Sequence, residues 1–214
     1  MASPDSRRRP PIAREGWGYT AGFFLLAALS ALWGGWAWGA AFFALACMVA
    51  AFFRDPERTP PDVPGAVLAP ADGRVVSVDA FETGGHAVRI FLSPLDVHIN
   101  RSPVAGQILR AEYRRGRFLA AFREAASQVN EQNALDICTQ SRENFRVVQI
   151  AGVLARRIVC WCKEGDALRA GERIGLIQFG SRTDLHLPPG YEVCVRRGEK
   201  VRGGETIVAR APSP

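Results

Sequence analysis

Lys163-Glu164-Gly165-Asp166-Ala167-Leu168-Arg169-Ala170-Gly171-Glu172-Arg173-Ile174 recurs, with the same spacing, as Arg196-Arg197-Gly198-Glu199-Lys200-Val201-Arg202-Gly203-Gly204-Glu205-Thr206-Ile207. Each copy sets a Gly-acid pair in one turn, points an apolar residue inward, and sets Gly-Glu in a second turn just before a strand. Two such units predict pseudo-twofold symmetry in a mostly β domain, built as a flattened β barrel or sandwich with one or two short helices.

The repeat resembles the hammerhead units of the lipoyl and biotinyl swinging-arm domains. Those domains carry a modifiable lysine at a hairpin tip, whereas Lys163 and Lys200, the only lysines among 27 basic residues, sit inside the repeat turns. A membrane-tethered module of this kind without enzymatic activity is therefore the weaker reading, and the repeat speaks for fold more than for function. The scarcity of lysine also argues against a lysine-bound aldehyde cofactor. Outward from the repeat, β-branched runs between glycine turns predict strands at residues 74–78, 87–92, 106–113, 144–150, 157–161 and 173–179, and a helix over 118–126. The five cysteines are odd in number and lack C-x-x-C spacing, so neither a disulfide framework nor a metal site is expected. Cys160 and Cys162 would share one strand face as packed, reduced thiols.

The β domain, residues 66–214, follows three other segments. Residues 1–15 form a basic tail with Arg7, Arg8, Arg9 and Arg14. From Gly16 to Phe53 there is no charged side chain. As one helix that stretch would be about 57 Å long, nearly twice a hydrocarbon core of about 30 Å. Trp33-Gly34-Gly35-Trp36 offers a bend, so residues 16–53 read as a membrane-anchoring helical hairpin, spanning or re-entrant, with both basic ends in the cytoplasm. A secretory signal peptide fits less well, because signal cores run about 7 to 15 apolar residues. Proline-rich residues 54–65 form a linker. The net charge of +6 calls for an anionic partner. Its arginines are scattered and lack aromatic interleaving, which excludes nucleic acid in favour of a phospholipid bilayer.

Three segments carry chemistry: Ala69-Pro70-Ala71-Asp72-Gly73, then Leu92-Ser93-Pro94-Leu95-Asp96-Val97-His98-Ile99-Asn100-Arg101-Ser102-Pro103, then Phe179-Gly180-Ser181-Arg182. Asp72-Gly73 alone is an ordinary hairpin turn. His98 lies among Asp96, Asn100 and Arg101, a polar setting suited to proton transfer, while His86 and His186 read as structural. Ser181 emerges at the end of an apolar strand, but no nucleophile elbow surrounds it.

Together, Pro-x-Asp-Gly, Leu-Ser-Pro-x-Asp-x-His and Gly-Ser resemble the phosphatidylserine decarboxylase family in its short form. The likeness extends through Phe52-Phe53-Arg54-Asp55-Pro56, Asn130-Glu131-Gln132-Asn133, Val148-Gln149-Ile150-Ala151-Gly152 and Ser181-Arg182-Thr183-Asp184. The resemblance implies self-cleavage between Gly180 and Ser181 into a β chain, residues 1–180, and an α chain, residues 181–214. These would stay together as a heterodimer that could assemble further. Ser181 would become a covalent pyruvoyl group, with no metal, and would form a Schiff base with the substrate amine. The implied reaction turns phosphatidylserine into phosphatidylethanolamine and carbon dioxide; archaetidylserine is the alternative lipid. His98 is then the candidate proton donor and Asp72 the candidate assistant in self-cleavage. Arg101, Asn100 and Arg182 are candidate headgroup contacts. Longer family members carry a second histidine where this chain has Arg101, so their Asp-His-Ser triad does not transfer. The expected location is the cell membrane, with the β domain on the cytoplasmic face.

Overall fold

The computed structural model describes residues 10–82, 84–119, 129–152, 157–178 and 181–212, and the chain divides into a unit at Arg7–Glu57 and another at Arg58–Pro214. In the first unit, α1 (Arg14–Leu32) and α2 (Trp36–Phe52) are joined by a turn in which Gly34 takes φ 79°. The helices pack on each other through small residues and rings. A Cβ on Gly39 would lie 3.2 Å from the Ala27 carbonyl, and Phe24 meets Phe43 edge-on at 5.6 Å. At 19 and 17 residues they measure about 28 and 26 Å. No helix among the described residues is long and apolar enough to cross a membrane.

The second unit holds β1 (Ala66–Leu68), β2 (Gly73–Ala80), β3 (His86–Leu92), β4 (Ile99–Arg101), β5 (Gly106–Arg114), β6 (Gln132–Cys138) and β7 (Asn144–Ile150). Then come β8 (Ile158–Cys160), β9 (Ala167–Leu168), β10 (Arg173–Ile177), β11 (Ser181–Leu187), β12 (Glu192–Val193), β13 (Lys200–Val201) and β14 (Ile207–Arg210). An eight-stranded sheet runs β13-β2-β3-β11-β7-β6-β5-β9, and two three-stranded sheets run β1-β14-β12 and β4-β10-β8. The mostly β expectation holds. Among the described residues no pairing joins β13 to β9, so the large sheet is open rather than closed into a barrel.

The sequence repeat is a structural repeat. Gly165 and Gly198 adopt φ 86° and 93°, and Gly171 and Gly204 adopt 75° and 77°, backbone that a side chain disfavours. Matching amides make matching bonds: Gly165 N to the Ile108 carbonyl and Gly198 N to that of Val75, both 2.8 Å. Where the two halves of the repeat meet, within the second unit, Leu68 N donates to the Pro103 carbonyl at 2.9 Å and Arg101 N donates to that of Pro70 at 2.8 Å. The Ala69-Pro70 and Ser102-Pro103 steps are thus partners about the pseudo-twofold axis. All three sheets supply the core, through residues such as Val67 and Val208, Ile174, and Ile90, Leu135, Val147 and Leu185.

The six expected strands all exist, with β8 and β10 shorter than read. The expected helix over residues 118–126 falls mainly in 120–128, outside the described residues; Phe118 and Leu119 are not helical. Cys160 and Cys162 are thiols outside any disulfide, packed against the core.

Because Gly165 and Gly198 are open to space for a Cβ but held at positive φ, Gly165→Ala and Gly198→Ala should each cost about 1 to 2 kcal/mol. Equilibrium urea unfolding should give equal losses for the two; a loss at one site alone would contradict their equivalence.

Candidate functional site

Ser181 opens β11, the strand held in the middle of the large sheet by β3 on one side and β7 on the other. Its register partner is Leu92, the last residue of β3. From there the chain enters the Ser93–Val97 loop and reaches His98, whose carbonyl accepts the Ile177 amide at 3.3 Å. The His98 loop therefore runs from the partner of Ser181 to the strand that leads back to Ser181. Inside it, the Ser93 amide and hydroxyl both donate to Asp96 Oδ2, at 2.8 and 2.7 Å, which fixes its shape.

Alternation along β11 turns Ser181, Thr183 and Leu185 to the core, and Arg182, Asp184 and His186 to the other face. On β4, Asn100 faces the same core side, because its Oδ1 accepts from Gln149 Nε2 of β7 at 2.8 Å, and Gln149 is the register partner of Thr183. His98, two residues before Asn100, shares that side by the same alternation. The structure thus joins Asn100 to the face of β11 that bears Thr183 and Ser181, and continuing the β4 alternation by one residue puts His98 on the same side.

Both His98 and Ser181 are buried, Ser181 at 0% exposure. His98 Nδ1 lies 3.0 Å from the Asp96 carbonyl. A carbonyl only accepts, so Nδ1 carries the proton in the neutral ring and Nε2 is the basic nitrogen. The hydroxyls of Ser181 and Thr183 and Asn100 Nδ2 are buried and have no hydrogen-bond partner among the described residues. Buried polar atoms are nearly always bonded, so three of them without a partner among the described residues set this part of the core apart.

Asp72 lies one strand further out. Extending the β2–β3 register by one step brings Gly73 level with Leu92, and so with Ser181. Its carboxylate accepts from Arg58 Nη2 at 2.7 Å and from Gly203 N at 2.8 Å, which ties the linker end and a repeat turn to the site. Burial raises the Asp72 pKa above the ordinary carboxyl value, against the pull of Arg58 and the Gly203 amide, and the nearby Asp96 adds to the rise. Arg101 is buried and gives Nη1 to the Gly171 carbonyl at 3.0 Å, at the junction of the two repeats. Arg182 points away from Ser181's face and grips Asp184 with two bonds, Nε to Oδ1 at 2.8 Å and Nη2 to Oδ2 at 3.0 Å. Gly180 lies outside the described residues.

Thr183, Gln149 and Asn133 entered the sequence reading without roles. A polar Gln149 inside Val147-Val148-Gln149-Ile150 is a signal that could have found it, since a strand buried on both faces has no use for an unpaired amide.

A family model described as phosphatidylserine decarboxylase matches residues 45–209. A protein of Symbiobacterium thermophilum named phosphatidylserine decarboxylase proenzyme is 50% identical over 211 residues, which cover 96% of this chain and 98% of that protein. A protein of the same name from Gluconacetobacter diazotrophicus is 52% identical over 168 residues, 74% of this chain and 75% of its own. One from Nitrosomonas europaea is 46% identical over 205 residues, 94% and 95% of the two chains.

On the outer face, His186 packs edge-on against Phe81 at 5.3 Å. Burial first, then Arg146 and Arg89, lower its pKa from 6.5 to about 4, with Asp136 opposing. The fold thus holds this ring neutral while the unfolded chain protonates near 6.5. Its contribution to stability is full above that pH and is lost as pH falls toward 4. Melting temperature should fall between pH 7 and 5 in the wild type and fall less in His186→Gln; equal slopes would contradict this.

Proposed function

The chain belongs to the phosphatidylserine decarboxylase family, and we propose that it removes carbon dioxide from the serine headgroup of phosphatidylserine to leave phosphatidylethanolamine, using a pyruvoyl group made from its own Ser181. The observation that carries this reading is the Ser181 hydroxyl, buried and without a hydrogen-bond partner among the described residues at the head of a central strand, with the His98 loop beginning at its register partner. A serine kept for structure alone would be bonded. The site fits the group for the same reason: nothing among the described residues holds the hydroxyl away from the peptide bond on its N-terminal side.

The cut uses groups of the chain. Ser181 Oγ adds to the Gly180 carbonyl carbon while its proton passes to a base. The C–N bond then breaks, the nitrogen takes a proton, and an ester joins the two residues. Loss of the Ser181 α-proton breaks the Cβ–O bond and frees the Gly180 carboxylate. The dehydroalanine left at 181 hydrolyses, releasing ammonia. His98 Nε2 serves as that base, a role supported by the loop that carries His98 starting from the register partner of Ser181. Asp72, its pKa raised by burial, assists through the contacts it makes at this edge of the site.

Once formed, the pyruvoyl group supplies an electron-poor carbonyl for the substrate amine and a sink for the electrons freed with carbon dioxide. His98 then returns a proton to the carbon that lost its carboxylate. Of the three headgroup candidates, Arg101 and Arg182 would first have to leave Gly171 or Asp184, and Asn100 is fully buried. The relatives are bacterial and named for phosphatidylserine, which favours that lipid over an archaeal ether lipid. The same family match sets the carrier-module reading aside. After the cut, β11 to β14 belong to residues 181–214 and pair with β1, β2, β3 and β7 of residues 1–180, so the two chains persist as one heterodimer.

The helical unit suits a lipid substrate. Leu25, Leu32, Trp33, Trp36 and Trp38 are exposed, with Trp33 at 90%, an apolar surface larger than a protein in water ordinarily keeps. Helices that are not long and apolar enough to cross favour a hairpin embedded from the cytoplasmic face of the cell membrane, with its tryptophans at the acyl–headgroup boundary.

Ser181→Ala should stay one uncut, inactive chain. His98→Ala should lose turnover by about 10²- to 10⁴-fold, and Asp72→Asn should accumulate uncut chain; normal decarboxylation by the His98 variant would remove that residue from the mechanism. Vesicles carrying brominated acyl chains should quench the tryptophan fluorescence, and Trp33→Phe with Trp36→Phe should remove much of the quenching. Unquenched wild-type protein would contradict the embedded hairpin.

A further inference from the structure

We infer that Gln149 and Asn133 are positioning residues that turn Asn100 into a hydrogen-bond donor for the chain cut at Ser181. The inference rests on the proposed decarboxylase function and adds the group that receives the negative charge of the first step.

The amides form a directed chain. Asn133 Nδ2 donates to Gln149 Oε1 at 2.9 Å, and this leaves Gln149 Nε2 to donate to Asn100 Oδ1 at 2.8 Å. With its oxygen taken, Asn100 has only Nδ2 to offer, and that atom is buried with no hydrogen-bond partner among the described residues. Asn133, Gln149 and Thr183 stand in one register row across β6, β7 and β11, so the relay is anchored two residues along β11 from Ser181. Gly175 on β10 makes the crossing between sheets possible. A Cβ there would lie 3.2 Å from Gln149 Nε2 and would run into the Val159 carbonyl.

The relay decides which end of Asn100 faces the site. Without it the amide could turn and present oxygen, an acceptor, toward the attacking hydroxyl. When Ser181 Oγ bonds to the preceding carbonyl carbon, the carbonyl oxygen gains negative charge, and next to a serine as buried as Ser181 a fixed N–H donor counts most. Complete burial of Ser181, Thr183 and Asn100 favours this step over substrate contact, because the group to be stabilised is already part of the chain and need not enter.

The test tracks the first-order appearance of cut chain in freshly synthesised full-length protein, for the wild type, Asn100→Ala, Gln149→Met and the double variant. Asn100→Ala should slow cutting about a hundredfold and Gln149→Met, which loses aim rather than the donor, roughly tenfold. The double variant should be no slower than Asn100→Ala alone, because Gln149 acts through Asn100. The fraction already cut should keep the wild-type KM for phosphatidylserine, a readout that general damage to the fold would not spare. Gln149→Glu guards against misfolding of the methionine variant. Its carboxyl still accepts from Asn133 but draws Asn100 Nδ2 toward itself, so a chain with a normal unfolding curve should cut slowly. Wild-type cutting rates in the Gln149 variants, or losses that multiply in the double variant, would overturn the relay alone. A wild-type chain that is never cut would overturn both the relay and the function beneath it.

Discussion

The pairing of β11 on both edges is the constraint on which the rest of the β unit depends. Seven register pairs to β3 and five to β7 fix the strand's depth and direction. They also fix which side chains face the core. A slip of one residue would send Ser181 to the outer face and bring Arg182 into the core. A break at the head of the strand, as proposed, would leave the C-terminal piece in place, because the pairs that hold β11 join residues 181–187 to β3 and β7 of the N-terminal piece.

That central strand was the element least legible in the sequence. Ser181-Arg182-Thr183-Asp184-Leu185-His186-Leu187 carries two formal charges and drew no strand expectation, because alternation cannot reveal that Arg182 and Asp184 are buried together and satisfy each other. Burial pushes the Asp184 carboxyl up, while Arg182 and Arg89 hold it down. The strand β6, Gln132-Asn133-Ala134-Leu135-Asp136-Ile137-Cys138, was obscured in the same way by Asn133 and Asp136, whose partners come from other strands. The repeat was legible because glycines at positive φ impose themselves locally. Apolar strands such as β3 and β7 were legible because their composition alone decides them.

For the site, the resemblance carried by three short motifs singled out Ser181, His98 and Asp72 before any fold was known, and the fold adds what motifs could not. It separates Arg182 from the serine next to it, engages Arg101 at the repeat junction, and joins Asn100 to Gln149 and Asn133 across two sheets. The shortfall has one physical origin. A side chain's role at this site depends on which face of which strand it occupies, and that is settled by tertiary register. The pseudo-twofold repeat connects the two scales, because its Gly203 amide holds Asp72 and its Gly171 carbonyl holds Arg101, so the element that builds the fold also frames the chemistry.

The central claim is that Ser181 is converted into a carbonyl group at the head of β11. The most direct measurement is the mass of the C-terminal fragment of purified wild-type protein, before and after treatment with a ketone-reactive hydrazine. The account predicts a fragment that begins at position 181 with a keto group in place of serine and takes up one equivalent of hydrazine. An intact chain, or a fragment that begins with an ordinary serine amine and does not react, would contradict it.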